Sequence, residues 1–189
     1  MNKTARYIEK ARNGFTLVEL LVVIAIIAIL AAVVVLIINP LELTRRGRDS
    51  TRLLDLRNLQ QAINVAVQES TDSAQEILCK GVGTATCAAK STDANSRNPN
   101  GTGWVKVDLS SQQAVSVPTL PIDPNGNNVT YHYVYCADTT GGAAKWEIFT
   151  DLESVKEIPK EGTDGGNDAN KYEIGSDYTL SASVSGCAY

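Results

Sequence analysis

Glu19 is the residue whose position most needs a chemical explanation. It is the only ionisable residue in the apolar run from Phe15 to Ile38. A helix of that length spans roughly 36 Å, which is enough to cross a ~30 Å hydrocarbon core. A carboxylate inside such a segment costs on the order of 2.5–3.5 kcal/mol, and it therefore usually has a partner and a function. No partner is visible nearby in the sequence.

The cysteines are the next reactive side chains. Cys79, Cys87, Cys136 and Cys187 all follow the apolar run, and no two of them form a Cys-x-x-Cys pair. This spacing disfavours a zinc site and, in an oxidising compartment, favours two disulfides. Four cysteines allow three connectivities. We favour Cys79–Cys87, which closes a short loop, together with Cys136–Cys187, which ties the last residues to a strand.

An enzyme is not expected. His132 is the only histidine, and no Gly-x-Ser-x-Gly, His-Glu-x-x-His, Walker A or Gly-x-Gly-x-x-Gly motif accompanies it. Beyond residue 14 the chain carries 13 basic and 20 acidic residues, a net charge of −7. An acidic domain does not attract a phosphate backbone, so we expect no direct nucleic-acid partner.

Asp164, Asn167 and Asp168 lie among glycines in the stretch from Glu161 to Asp168. Calcium takes six to eight oxygen ligands from a flexible loop, and these side chains can supply several of them. Their spacing does not match an EF-hand loop. We favour a solvated loop without a cofactor and keep a calcium site as the alternative.

Five segments must position these residues. They are a basic leader over 1–14, a transmembrane helix over 15–38, an amphipathic helix over 39–70, a variable loop over 71–103 and a β-sheet region over 104–189. Four basic residues in the leader predict a cytoplasmic N-terminus. Asn39-Pro40 predicts a break in the helix.

The sheet region has three clear strand candidates. They are 104–109, 130–137 and 145–150, with a hairpin turn at 139–142 and a last strand or extended tail at 178–184. Leu53, Leu56, Leu59, Ile63 and Val67 form one helix face that can pack on this sheet. The predicted fold class is α+β: a long N-terminal helix whose outer half packs on a small antiparallel sheet.

The order Gly14-Phe15-Thr16-Leu17-Val18-Glu19, behind a basic leader and ahead of an unbroken apolar helix, resembles the prepilin signature of type IV pilins and type II secretion pseudopilins. The resemblance implies a pilin-like fold and cleavage by a prepilin peptidase between Gly14 and Phe15. It also implies N-methylation of Phe15 and a role for Glu19 and Thr16 in assembly, with Glu19 meeting the amine of a neighbouring chain. The order Leu-Pro-x-Asp-Pro, then Tyr-x-Tyr, then a hairpin resembles more loosely the C-terminal sheet of major pseudopilins. Those proteins carry a calcium loop with acids around a Gly-Gly pair in this region, and the partial match at Gly165-Gly166 implies calcium as the alternative there.

The function that the resemblance implies is that of a structural subunit of a type IV pilus-like filament. The chain would start in the inner membrane as a single-pass protein and end in an extracellular or periplasmic homopolymer built by an inner-membrane assembly machine. A type II secretion pseudopilin that drives protein export is the alternative, and a membrane-anchored extracytoplasmic binding domain is a second. Arg45, Arg46 and Arg48 then form either a solvated or lipid-anchoring face or a contact to acidic faces of adjacent subunits.

Overall fold

The structure is a computed structural model that describes residues 14–94, 96–112, 114–126 and 128–189. The chain divides into two compact units, which separate between Pro40 and Leu41. The predicted leader lies outside the described residues except for Gly14. The fold class is α+β, with an apolar N-terminal helix and a four-stranded antiparallel sheet.

Helix α1 covers Leu17–Ile38 and is about 33 Å long at 1.5 Å per residue. It ends at Asn39, whose φ of 45° lies in the left-handed region, and helix α2 starts directly at Pro40 and runs to Glu69. Among the described residues Asn39 is the only non-glycine with a positive φ. Proline disfavours a helical conformation in the residue before it, and asparagine tolerates the left-handed one. The predicted break is therefore confirmed.

The second unit contains the rest of the regular structure. Its elements after α2 are α3 (Ala74–Leu78), β1 (Thr86–Lys90), β2 (Val134–Asp138), β3 (Lys145–Thr150), β4 (Tyr172–Gly175) and α4 (Leu180–Ser183). The strands form one sheet in the order β1-β2-β3-β4, and every neighbouring pair is antiparallel. The β2–β3 hairpin turns at the predicted position, where Gly141 and Gly142 both have positive φ.

Both faces of this sheet are buried. Helix α2 covers one face with the predicted stripe, and its fully buried Leu56, Leu59 and Ile63 join a core with Tyr133, Tyr135, Trp146 and Ile148. On the other face, Val134, Cys136 and Phe149 pack against Leu180, Val184 and Cys187 of the C-terminal segment. The strands alternate between the two clusters as a pleated sheet requires. Because both faces are covered, the sheet lies inside the unit.

The segment from Trp104 to Leu109 is buried, but it is not the strand that its alternation predicts. Trp104, Val105, Val107 and Leu109 are all in the core. Their backbone groups bond to loop partners, as in Trp104 N–H to Ser96 O at 3.1 Å and Leu109 N–H to Pro99 O at 2.7 Å. The apolar pattern of this segment therefore reflects burial in the core rather than pairing with a neighbouring strand.

Five further elements differ from the sequence-based prediction. The stretch 71–103, predicted as a loop, holds α3 and β1; β1 (Thr-Cys-Ala-Ala-Lys) lacks the aromatic and large β-branched residues that mark strands. Strand β4 was not predicted. The segment 178–184, predicted as a strand or extended tail, forms the short helix α4, because the Glu147 carboxylate accepts hydrogen bonds from the backbone N–H groups of Leu180 and Ser181. Strand β2 begins at Val134 rather than at Thr130.

A buried ionic cluster joins α2 to two loops of the sheet region. The guanidinium of Arg52, which is fully buried, contacts Asp49 at 2.7 Å, Asp123 at 2.6 Å and Glu153 at 2.6 Å. Asp49 in turn accepts hydrogen bonds from the backbone N–H groups of Glu153 and Ser154. Burial acts to lower the pKa of Arg52, but the hydrogen bonds to its carboxylates raise it on balance. Arg52 therefore keeps its positive charge in the interior.

Replacing Arg52 should destabilise the second unit strongly. The Arg52→Met variant keeps a good helix former but leaves buried carboxylates without their cation, so we expect a loss of about 3–5 kcal/mol in the free energy of unfolding. Urea unfolding followed by the fluorescence of Trp104 and Trp146, both buried in this unit, measures it.

Arg57→Met, at an exposed position of the same helix, is the matched control and should change the free energy of unfolding by no more than about 0.5 kcal/mol. Equal effects of the two substitutions would contradict a structural role for the Arg52 cluster.

Candidate functional site

The start of α1 holds the residues that the prepilin signature singles out. Thr16 is the N-cap of the helix, and its hydroxyl oxygen accepts a hydrogen bond from the Glu19 backbone N–H at 3.2 Å. Glu19 Oε2 accepts two hydrogen bonds in return, from the Thr16 backbone N–H and from the Thr16 hydroxyl, each at 2.8 Å. This reciprocal arrangement is a capping box, which satisfies backbone donors at a helix start.

The expectation that Glu19 has no partner nearby is therefore wrong. The sequence Thr-x-x-Glu is the pattern of a capping box, and it was the signal that could have identified Thr16 as the local partner. Only one oxygen of the carboxylate is engaged: Oε1 accepts no hydrogen bond from the described residues. That oxygen is available to a donor from another molecule.

The remainder of α1 offers no polar chemistry. The candidate membrane span Leu17–Val35 has a mean hydropathy of 3.2, and none of it is buried inside the described structure. Apolar side chains point in all directions around the helix; Leu17 and Ile37, near its two ends, are 79% and 76% exposed. A helix that is hydrophobic on all sides belongs in a membrane or in the core of a larger assembly.

The cysteines form two disulfides, and these are the two pairs that the sequence favours. Cys79 at the end of α3 is joined to Cys87 in β1, and Cys136 in β2 is joined to Cys187. The first bond fixes an edge strand of weak intrinsic propensity. The second fastens the C-terminal segment over the face of the sheet that α2 leaves open.

The three candidate calcium ligands lie on one loop, and each of them already accepts a hydrogen bond from a protein donor. Asp164 accepts hydrogen bonds from the backbone N–H groups of Gly166 and Glu173, at 2.9 and 2.7 Å. Asp168 accepts from Asn170, and Asn167 Oδ1 accepts from the Ser181 hydroxyl. Within the described residues no three His, Cys, Asp or Glu side chains are grouped to hold a metal ion.

A calcium site at these residues stays the alternative to a loop without a cofactor, and chelation tests it. If the loop is held by its own hydrogen bonds, excess EGTA leaves the melting temperature unchanged. A structural ion would be established instead if the melting temperature of the wild type falls in EGTA and recovers in added calcium. The Asp164→Asn variant should then show neither the fall nor the recovery.

A carboxyl pair that the sequence did not reveal lies behind this loop. Glu147 faces Gly175 across the β3–β4 pair and Glu173 faces Phe149, so both glutamates share one face of the sheet. Both are almost completely buried, and one oxygen of each has no hydrogen-bond partner among the described residues. Gly166 leaves room for Glu173, because a Cβ there would lie 1.7 Å from Glu173 Oε2. Burial, together with the neighbouring Glu173 carboxyl, raises the pKa of Glu147 to about 8.

The pair predicts that stability falls as pH rises. The pKa of Glu147 rises from 4.5 to about 8 on folding, so the folded state holds a proton that the unfolded state has lost. This contribution is complete below pH 4.5 and is lost as pH rises to about 8. The melting temperature should therefore decrease across this window.

Glu147→Gln keeps a neutral, hydrogen-bonding group and should flatten that decrease, whereas Asp72→Asn, at an exposed carboxyl, should leave it as in the wild type. The measurement is thermal unfolding followed by circular dichroism at a series of pH values. The same decrease in Glu147→Gln would show that other groups cause it.

Comparison with known proteins bears on the N-terminal site alone. The family described as the prokaryotic N-terminal methylation motif matches residues 10–35, which include Gly14, Phe15, Thr16 and Glu19. No curated protein and no solved structure matches the chain. On this match, the chain carries the N-terminal methylation motif that is the signature of type IV pilins and pseudopilins.

Proposed function

We propose that this protein is a structural subunit of a type IV pilus-like filament. A prepilin peptidase cuts it between Gly14 and Phe15, and the new amine of Phe15 is methylated. The observation that carries the proposal is the methylation motif at residues 10–35, which ends in a helix that is apolar on every side. The exposed surface of α1 supports the same proposal, since such a surface needs either lipid or other helices around it.

Assembly then exchanges one apolar environment for another. Before assembly the helix lies in the inner membrane, with its N-terminus in the cytoplasm and the second unit on the far side. In the filament it packs against the same helix of neighbouring copies. Lipid tails are as apolar as leucine, so close packing and specific polar contacts, rather than hydrophobicity, must drive this exchange.

Glu19 supplies the specific polar contact. Its Oε2 is held by Thr16, which fixes the orientation of the carboxylate, and Oε1 accepts from the methylated Phe15 amine of a neighbour. A buried ion pair need not add net stability, but leaving either charge alone in an apolar core is costly. The pair therefore makes every axial offset between neighbouring helices unfavourable except the one that brings the amine and the carboxylate together.

The mature N-terminus tests the proposal directly. We expect mass spectrometry of the chain from its native membranes to show a polypeptide that starts at methylated Phe15. An intact Met1 would contradict the proposal and support a plain membrane anchor.

Two substitutions separate the charge of Glu19 from its capping role. Glu19→Gln preserves a capping box, because glutamine also serves at that position, whereas Glu19→Ala removes it. Both variants should be cleaved normally, and both should give far fewer filaments than wild type in electron microscopy of sheared cells. Wild-type filament yield from Glu19→Gln would show that helix capping alone, and not the charge, is what assembly needs.

A type II secretion pseudopilin is the second candidate. The turn at Asp123-Pro124 and the acidic Gly165-Gly166 loop favour it, because both resemble features of the C-terminal sheet of major pseudopilins. Deletion of the gene separates the two candidates. Loss of protein export with normal twitching and DNA uptake would indicate a pseudopilin, and loss of surface filaments with normal export would indicate a pilin.

A further inference from the structure

The first turns of α2 form a positive patch on an otherwise acidic unit. Residues 41–48 contain three arginines against the single acid Glu42, whereas residues 49–189 contain 10 basic and 18 acidic residues. The arginines of the second unit are therefore concentrated in residues 41–48. An anionic partner is therefore attracted to this end of the unit rather than to its remaining surface.

The contacts of the three arginines show which of them are available. Arg48 donates to the Glu153 carboxylate through Nε and Nη2, so it belongs to the buried ionic cluster. Arg45 makes no hydrogen bond or ion pair with the described residues. Arg46 reaches Glu42 only at 3.9 Å, and a third of its side chain is exposed to solvent. Two guanidinium groups thus keep donors for an external acceptor.

Apolar side chains accompany these two arginines. Leu41 is 57% exposed and Leu43 is 52% exposed, although both lie in a regular helix. Leu41 and Arg45 are four residues apart and therefore share one helix face. Leu41 follows Val35, the last residue of the candidate membrane span, by only six positions. A turn that combines exposed leucines with arginines, so near a membrane span, has the composition of a surface that sits among lipid headgroups.

We propose that the first turns of α2 bind the headgroups of anionic phospholipids, with Arg45 and Arg46 on the phosphate oxygens and Leu41 and Leu43 against the upper acyl chains. Guanidinium groups suit this ligand because their donors match two phosphate oxygens at once. Leu41 and Leu43 are two residues apart and lie on opposite sides of the helix, so lipid that surrounds the helix accommodates both, whereas an acidic face of a second copy meets only one side. The proposal rests on the membrane stage of the proposed function.

Native mass spectrometry of the full chain in a neutral detergent tests the proposal. Phosphatidylglycerol and phosphatidylcholine with identical acyl chains are added in turn, and the retained lipids are counted. We expect wild type to prefer phosphatidylglycerol. Because two of the cations that face the lipid phosphates are lost, Arg45→Gln/Arg46→Gln should lower its affinity for phosphatidylglycerol on the order of 25-fold.

Arg57→Gln/Arg97→Gln removes the same charge from two exposed arginines elsewhere in the unit and is the matched control, which should bind as wild type does. Equal retention of the two lipids by wild type, or equal affinities in the two double variants, would overturn the proposal. So would a loss of filaments in Arg45→Gln/Arg46→Gln with unchanged lipid binding, which would assign the arginines to a contact between subunits. The proposed function fails on a different result, an unprocessed N-terminus, which leaves lipid retention unaffected.

Discussion

The buried guanidinium of Arg52 is the interaction on which the second unit depends. It brings together carboxylates from α2, from the turn at Asp123 and from the loop after β3, segments that are far apart in sequence. Ions taken out of water regain their lost hydration energy only when their geometry and hydrogen bonds are complete, and here Asp49 also binds two backbone N–H groups. This requirement fixes the register of α2 against the sheet more sharply than apolar packing alone, since leucines tolerate small shifts.

The two units differ in how their apolar side chains are covered. In the second unit both faces of the sheet are covered, one by α2 and the other by the C-terminal segment. In the first unit α1 exposes apolar side chains in all directions. Asn39 lies close to the boundary between the units, and its left-handed conformation ends one helix immediately before the other begins. The chain thus combines a domain whose sheet is covered on both faces with a helix whose apolar surface needs lipid or other helices around it.

Sequence patterns predicted those parts of the fold that local physics decides. The apolar run, the break at Asn39, the α2 stripe and the β2–β3 hairpin each have a periodicity or a turn residue of their own. Strand β1 was not predicted, because its own residue types do not mark a strand. A disulfide and the neighbouring strand β2 hold it extended. Trp104–Leu109 alternates for reasons of burial, not of pairing. At the candidate site, Thr-x-x-Glu could have revealed the cap, whereas the contacts of Arg52 and the Glu147–Glu173 pair depend on long-range register, which no local pattern records.

The disulfide between Cys136 and Cys187 has a mechanical consequence. The two residues are 51 positions apart, and the bond encloses β3, β4 and α4 in one covalent loop. Chain extended under tension gains at most about 3.3–3.6 Å per residue, so the bond withholds roughly 180 Å of contour length from any pull that enters through α2 and leaves beyond Cys187. Under such a pull the extensible part of the chain is confined to the residues before Cys136.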